Sequence, residues 1–173
     1  MTSHPRTAVC PGSYDPVTYG HLDVIRRTAA IFDHVIVGVV REPQHKHPMF
    51  TIDERIGFIR DAAADLPNVS VEPFSELVVE FARSRRATAI VKGLRAISDF
   101  EWEFQMNHLN HRLAPEVETI YLMAGSNFSF VSSSGVKEIA AFGGNVDELV
   151  PPGVAERFHR LASDRTGEPR PRP

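Results

Sequence analysis

Val91-Lys92-Gly93-Leu94-Arg95 places two cations around a glycine at the end of a β-branched run. That grouping suits a polyphosphate, because glycine lets the backbone come close while the charges meet the oxygens. A second grouping lies in the loop from Pro11 to Gly20, which ends in Thr18-Tyr19-Gly20-His21 where a helical period begins. A helix start presents unpaired N–H groups and a partial positive charge, and it therefore favours phosphate. Gly20 allows close backbone approach and His21 brings an imidazole to the same place, although a Gly-His pair standing alone is ordinary loop and helix surface. Ser129-Phe130-Val131-Ser132-Ser133-Ser134 adds hydroxyls and the amides of another helix start, while three serines by themselves make a plain cap. Lys46, in a further loop, is a solvated lysine or one more phosphate cation. The chain has three lysines against sixteen arginines, and two of the three fall in these loops. Other polar clusters read more simply. His108 and His111 have i, i+3 spacing without a third metal ligand, His45 and His47 flank Lys46 and could make phosphate binding pH-sensitive, and Arg83, Arg85 and Arg86 close a helix.

For these loops to act together, the elements between them must bring them to one edge. β-branched runs at 7–10, 34–40, 69–71, 88–91 and 119–123 alternate with segments of helical period, the pattern of βα units that build a parallel sheet. In 21–32, Leu22, Ile25, Ala29 and Phe32 recur at spacings of three, four and three, giving a helix with one apolar face. Thr51 and Glu54 have capping-box spacing and open a helix to about residue 64. Ser75 is placed to cap a third helix that buries Leu77, Val78 and Phe81. A fourth runs from Ser98-Asp99 to Leu113, where Pro115 follows; a fifth starts in Ser132–Ser134 and ends at Gly143-Gly144; a short last one covers 154–161. The expected architecture is a single Rossmann-like α/β domain over 1–161, a five-stranded parallel sheet with helices on both faces. The proline-rich end makes 162–173 a disordered tail. In such a sheet, ligands sit beyond the carboxyl ends of the strands where strand order reverses, and all four loops lie at that edge.

The 173 residues are 42% hydrophobic and 24% charged, the make-up of one ordinary globular domain. A formal charge of -3 gives no global attraction to nucleic acid or to a membrane surface, so any bound anion must be held locally. The lone Cys10 sits among apolar neighbours and excludes an internal disulfide. No eighteen apolar residues run together and Met1–Arg6 contains no apolar stretch, which points to a cytoplasmic protein without a membrane partner.

Taken in order, Gly12-Ser13-Tyr14-Asp15-Pro16, Thr18-x-Gly20-His21, Pro48-Met49-Phe50-Thr51, Lys92-Gly93-Leu94-Arg95, Asp99-Phe100-Glu101-Trp102-Glu103 and Ser132-Ser133-Ser134-x-Val136-Lys137-Glu138 resemble bacterial phosphopantetheine adenylyltransferase. The likeness extends from about residue 6 to 161. Thr-x-Gly-His alone marks only the wider nucleotidyltransferase superfamily, and the ordered set is far narrower. The resemblance implies adenylyl transfer from ATP to 4′-phosphopantetheine, giving dephospho-coenzyme A and pyrophosphate. It implies catalytic roles for His21, Lys46 and Arg95. It implies ATP contacts from Ser13, Tyr14, His21, Gly93, Leu94, Arg95, Glu103, Phe128, Ser129, Phe130, Val131, Ser132, Ser133 and Ser134, and acceptor contacts from Ser13, Lys46, Leu77, Val78 and Lys92. Lys46 is assigned by counting back from Pro48-Met49-Phe50. Mg2+ is implied on phosphates and water with no protein carboxylate cage, as are a homohexamer and inhibition by coenzyme A. Two other readings stay open from residues alone: transfer to a different phosphorylated acceptor, and a nucleotide-binding regulatory protein that keeps the pocket without turnover.

Overall fold

Along β1 (Thr7–Gly12) successive side chains enter two different cores, as the period of two in a strand requires. Ala8 and Cys10 join Val35, Val37 and Val39 of β2 (His34–Val40) on one face, while Val9 and Ile36 join the other. The computed structural model describes residues 5–43, 47–95 and 97–166. The remaining elements are α1 (Tyr19–Ala29), α2 (Ile52–Ala62), β3 (Val69–Phe74), α3 (Val78–Ser84), β4 (Ala89–Leu94), α4 (Ile97–Leu113), β5 (Glu118–Met123), α5 (Ser133–Ala141) and α6 (Pro152–Thr166). All strand pairs are parallel, in the order β3-β2-β1-β4-β5. Leu22 and Ile25 of α1, Ile56 and Ile59 of α2, Val136 of α5 and Phe158 of α6 pack on the first face; Val79, Phe81 and Ala82 of α3 pack on the second. The expected Rossmann-like sheet with helices on both faces is the observed architecture.

The chain order reverses direction between β1 and β4. β1 stays in register with β2 along its whole length, to Gly12 opposite Val39, but with β4 it pairs only at Ala8 with Ala89 and Val9 with Ile90. Beyond that point Cys10–Gly12 and Val91–Leu94 part, and a crevice opens at the switch point.

Several boundaries differ from the sequence reading. β1 continues through Pro11 to Gly12, and Pro11 has no N–H with which to extend the pairing to β4. β3 continues through Pro73, which an edge strand tolerates because one of its sides has no ladder to satisfy. Ser75 does not cap α3: its N–H donates to the Glu76 carboxylate, the cap position is Leu77 without a side-chain bond, and Leu77 is 61% exposed. The helix thus starts later than expected, and its buried set is Val79, Phe81 and Ala82. α6 begins at Pro152, a favoured first position, and reaches Thr166, well past residue 161. Residues 167–173, like Lys46, lie outside the described residues.

Candidate active site

The first loop holds an unusual backbone in place before it reaches α1. Tyr14 has φ 48°, in the left-handed region that non-glycine residues seldom occupy, and its buried ring needs the space left by Gly12. A Cβ at Gly12 would lie 2.9 Å from the Tyr14 ring. The Tyr14 hydroxyl donates to the Cys10 carbonyl at 2.9 Å, and burial raises its pKa well above the ordinary phenol value. The same ring meets His21 edge-on, with centroids 5.1 Å apart and planes at 72°.

His21 occupies the third position of α1, where it completes a capping box with Thr18. The Thr18 backbone N–H donates to His21 Nδ1 at 3.0 Å, and the His21 N–H donates back to Thr18 Oγ1 at 3.4 Å. A backbone N–H can only donate, so Nδ1 carries no proton and the neutral ring holds its hydrogen on Nε2. Burial, with the charge of Arg95 beside it, pushes the pKa down to about 4. Near neutral pH, His21 is therefore an uncharged donor through Nε2–H, fixed in tautomer by the helix it caps.

Residues from eight elements and their loops surround one cavity of about 770 Å3 at the crevice, a size suited to a nucleotide and a second substrate. Ser13, Tyr14, His21, Val78, Lys92, Gly93, Arg95, Glu103, Phe128, Val131, Ser132, Ser133 and Ser134 line it. The N-termini of α1 and α5 both open on it. On the β2 and β3 side the lining includes Val40, Pro43, Phe74 and Val78, and is apolar; the cations and serines come from the β4 and β5 side. Lys92 Nζ lies 2.7 Å from the Glu103 carboxylate, both side chains about a fifth exposed, so α4 brings an acid to the β4 cation. The Tyr121 hydroxyl donates to the Glu103 carbonyl and ties α4 to β5. Arg95 donates to the Val131 carbonyl at 3.4 Å.

The three serines divide their work. Ser132 Oγ accepts the Gly135 N–H as the cap of α5, Ser133 donates to the Pro16 carbonyl at 2.8 Å, and Ser134 faces the cavity lining with them. One segment thus both caps α5 and lines the cavity. Leu94 is buried and Leu77, Ser129 and Phe130 are exposed, and none of these four lines the cavity. Among the described residues no group of three or more acidic, histidine or cysteine side chains could hold a metal ion. The Glu103 and Asp15 carboxylates are engaged: Glu103 with Lys92, and Asp15 with Lys137 and the N–H groups of Met49 and Phe50. That donor set fits a magnesium ion carried on phosphate oxygens and water. Sequence reasoning passed over Asp15, Lys137 and Arg55 as site-shaping groups, and Trp102 as part of the lining.

A parallel sheet whose switch point carries two helix N-termini, a neutral histidine and flanking cations defines a nucleotide-handling α/β protein. The cytidylyltransferase-like family model matches residues 9–139. The chain is 53% identical over 153 residues to the phosphopantetheine adenylyltransferase of Caldanaerobacter subterraneus subsp. tengcongensis, covering 88% of this chain and 95% of the relative. It is 54% identical over 157 residues to that of Heliobacterium modesticaldum (91% and 93% covered) and 50% identical over 161 residues to that of Rubrobacter xylanophilus (93% and 98%). A crystal structure from Vibrio parahaemolyticus, provisionally assigned as a nicotinate-nucleotide adenylyltransferase, superposes with a TM-score of 0.63 at 16% identity, covering 90% of this chain and 99% of that one, and attests the fold. The chain belongs to the phosphopantetheine adenylyltransferase family.

Proposed function

We propose that this chain transfers the adenylyl group of ATP to 4′-phosphopantetheine, and that the observation carrying the chemistry is His21 held as a neutral Nε2–H donor at the mouth of α1. A phosphate oxygen of the acceptor forms a bond to the α-phosphorus, the bond from that phosphorus to the bridging oxygen breaks, and pyrophosphate leaves with the electron pair. The acceptor phosphate is largely ionised near neutral pH, its second pKa being about 6, so no general base is needed. Positioning and charge stabilisation then supply the rate. His21 Nε2–H donates to the α-phosphate as charge builds there, and its neutrality keeps it from holding the triphosphate as an ion pair. Ser13 and Lys92, with Lys46 from outside the described residues, hold the acceptor phosphate; Arg95 and the start of α5 hold the β- and γ-phosphates. The apolar lining of Val40, Phe74 and Val78 suits the pantetheine arm. Mg2+ bound with ATP would neutralise phosphate charge.

Coenzyme A shares the pantetheine arm and would compete for the same cavity. A homohexamer and a cytoplasmic location complete this reading. Among the described residues no helix is long and apolar enough to cross a membrane.

The test is pyrophosphate release from Mg-ATP with 4′-phosphopantetheine, 4′-phosphopantothenate or nicotinamide mononucleotide as acceptor. Release confined to 4′-phosphopantetheine is the expected result. Release confined to another acceptor overturns the acceptor assignment, and silence with all three while ATP binds overturns the enzyme assignment in favour of a regulatory nucleotide-binding protein.

A further inference from the structure

Arg55, on the first turn of α2, is 1% exposed, and its guanidinium reaches only main-chain oxygens. Nε donates to the Phe50 carbonyl at 3.2 Å, one terminal nitrogen to Ser13 and Val40 at 2.8 Å each, and the other to Arg41 at 2.8 Å. Burying a cation costs several kcal/mol unless its donors are met, and here charge-assisted bonds to four carbonyls meet them. Packing does not explain the choice, because Ile56 and Ile59 already seat α2 on the sheet. The four acceptors share a position: Ser13 lines the cavity, Val40 ends β2 and lines it too, and Arg41 and Phe50 bracket the segment between β2 and α2. Asp15 holds the end of that segment at residues 49 and 50. Its two carboxylate oxygens accept the N–H groups of Met49 and Phe50 at 2.9 Å, and Lys137 Nζ approaches at 2.6 Å. Phe50 is therefore held by its N–H through Asp15 and by its C=O through Arg55.

We infer that Arg55 is a positioning residue for adenylyl transfer, one that sets the acceptor side of the cavity by locking Ser13 and the end of β2 to the start of α2. The inference rests on the adenylyl-transfer reading above. A guanidinium is needed because one planar group must aim donors at four carbonyls at once; a lysine keeps the charge but not the fork.

The experiment compares wild type with Arg55→Lys and Asp15→Asn by steady-state kinetics against each substrate, with thermal unfolding and active-site titration to count folded enzyme. Expected for Arg55→Lys is a KM for 4′-phosphopantetheine raised about tenfold and a kcat lowered about tenfold per folded site, with KM for ATP within about twofold. A residue that only supports the fold would lower the unfolding temperature and the folded fraction and leave both KM values alone, and that outcome overturns the inference. If Arg55→Lys does not fold, Asp15→Asn decides, since it loosens Phe50 at its N–H: wild-type KM for the acceptor in that variant overturns the inference, and the same acceptor-selective rise supports it. A wild-type protein inactive with 4′-phosphopantetheine instead overturns the adenylyl-transfer reading, a failure distinct from wild-type activity with unaltered variants.

Discussion

The proton on His21 is decided by its neighbour Thr18. Because a backbone N–H points at Nδ1, protonating that nitrogen would set two donors against each other, and the cap of α1 would loosen with the charge. Burial, then Arg95, acts in the same direction, so the folded pKa of about 4 lies below the ordinary 6.5. Between those values the unfolded chain takes up a proton that the folded chain refuses. This group's contribution to stability is therefore whole above pH 6.5 and declines as pH falls towards 4, by up to about 3 kcal/mol. Ring NMR of His21 checks this directly: the expected spectrum is the neutral Nε2–H tautomer down to about pH 5, with a midpoint near 4, and a midpoint near 6.5 would show the ring to be solvated. Such residues differ in how far sequence exposes them. Thr18, Gly20 and His21 were legible because they stand together where a helical period begins, although the capping box between Thr18 and His21 was not read. Arg55 was not, because its partners are carbonyls, and a carbonyl leaves no mark on residue identity.

Elements were legible where their ends are written in adjacent side chains. The Thr51 and Glu54 capping box forms as the spacing requires, and Ser132 caps α5. α3 was misread because Ser75, a cap residue by type, makes no cap bond and the cap position falls at Leu77; within the helix, Phe81 stacks on Phe74 with centroids 4.7 Å apart and planes at 15°. That pair also explains Gly38 in the middle of β2, a poor strand residue by propensity. A Cβ there would lie 2.8 Å from Phe81 and 3.2 Å from Phe74, and neither ring can retreat without unstacking from the other. Gly38→Ala thus sets two effects against each other: a gain of about 0.4–1 kcal/mol from a less flexible unfolded chain, and an overpacking cost of about 1–3 kcal/mol. The cost should win. Urea unfolding should show a lower midpoint at unchanged slope, and a midpoint at or above wild type would mean that the aromatic pair shifts freely.

At the scale of the whole molecule, the reversal of strand order between β1 and β4 concentrates cations and helix starts in one crevice of a chain whose net charge is -3. The alternation of strands and helices made that architecture readable, but the pairing of β1 with β4 joins residues about eighty apart and has no local signature. The same layout leaves β5 at an edge beside α4, the two joined by the bond from Tyr121 to Glu103. Trp102 is 65% exposed, Leu109 56%, Leu113 51% and Met123 64%, which is more apolar surface than scattered exposure accounts for and lies beside strand groups that an unprotected edge leaves open. Association through this side would cover both, which favours an assembly, proposed above to be a homohexamer, over a free chain. Sedimentation velocity should give a mass six times the 19.3 kDa of one chain. Leu109→Glu, outside the cavity lining, should shift that boundary towards smaller species, because a carboxylate on a covered apolar face must be desolvated without a partner. A wild-type protein that sediments as a single chain would overturn the hexamer and require that α4 and β5 meet solvent as they stand.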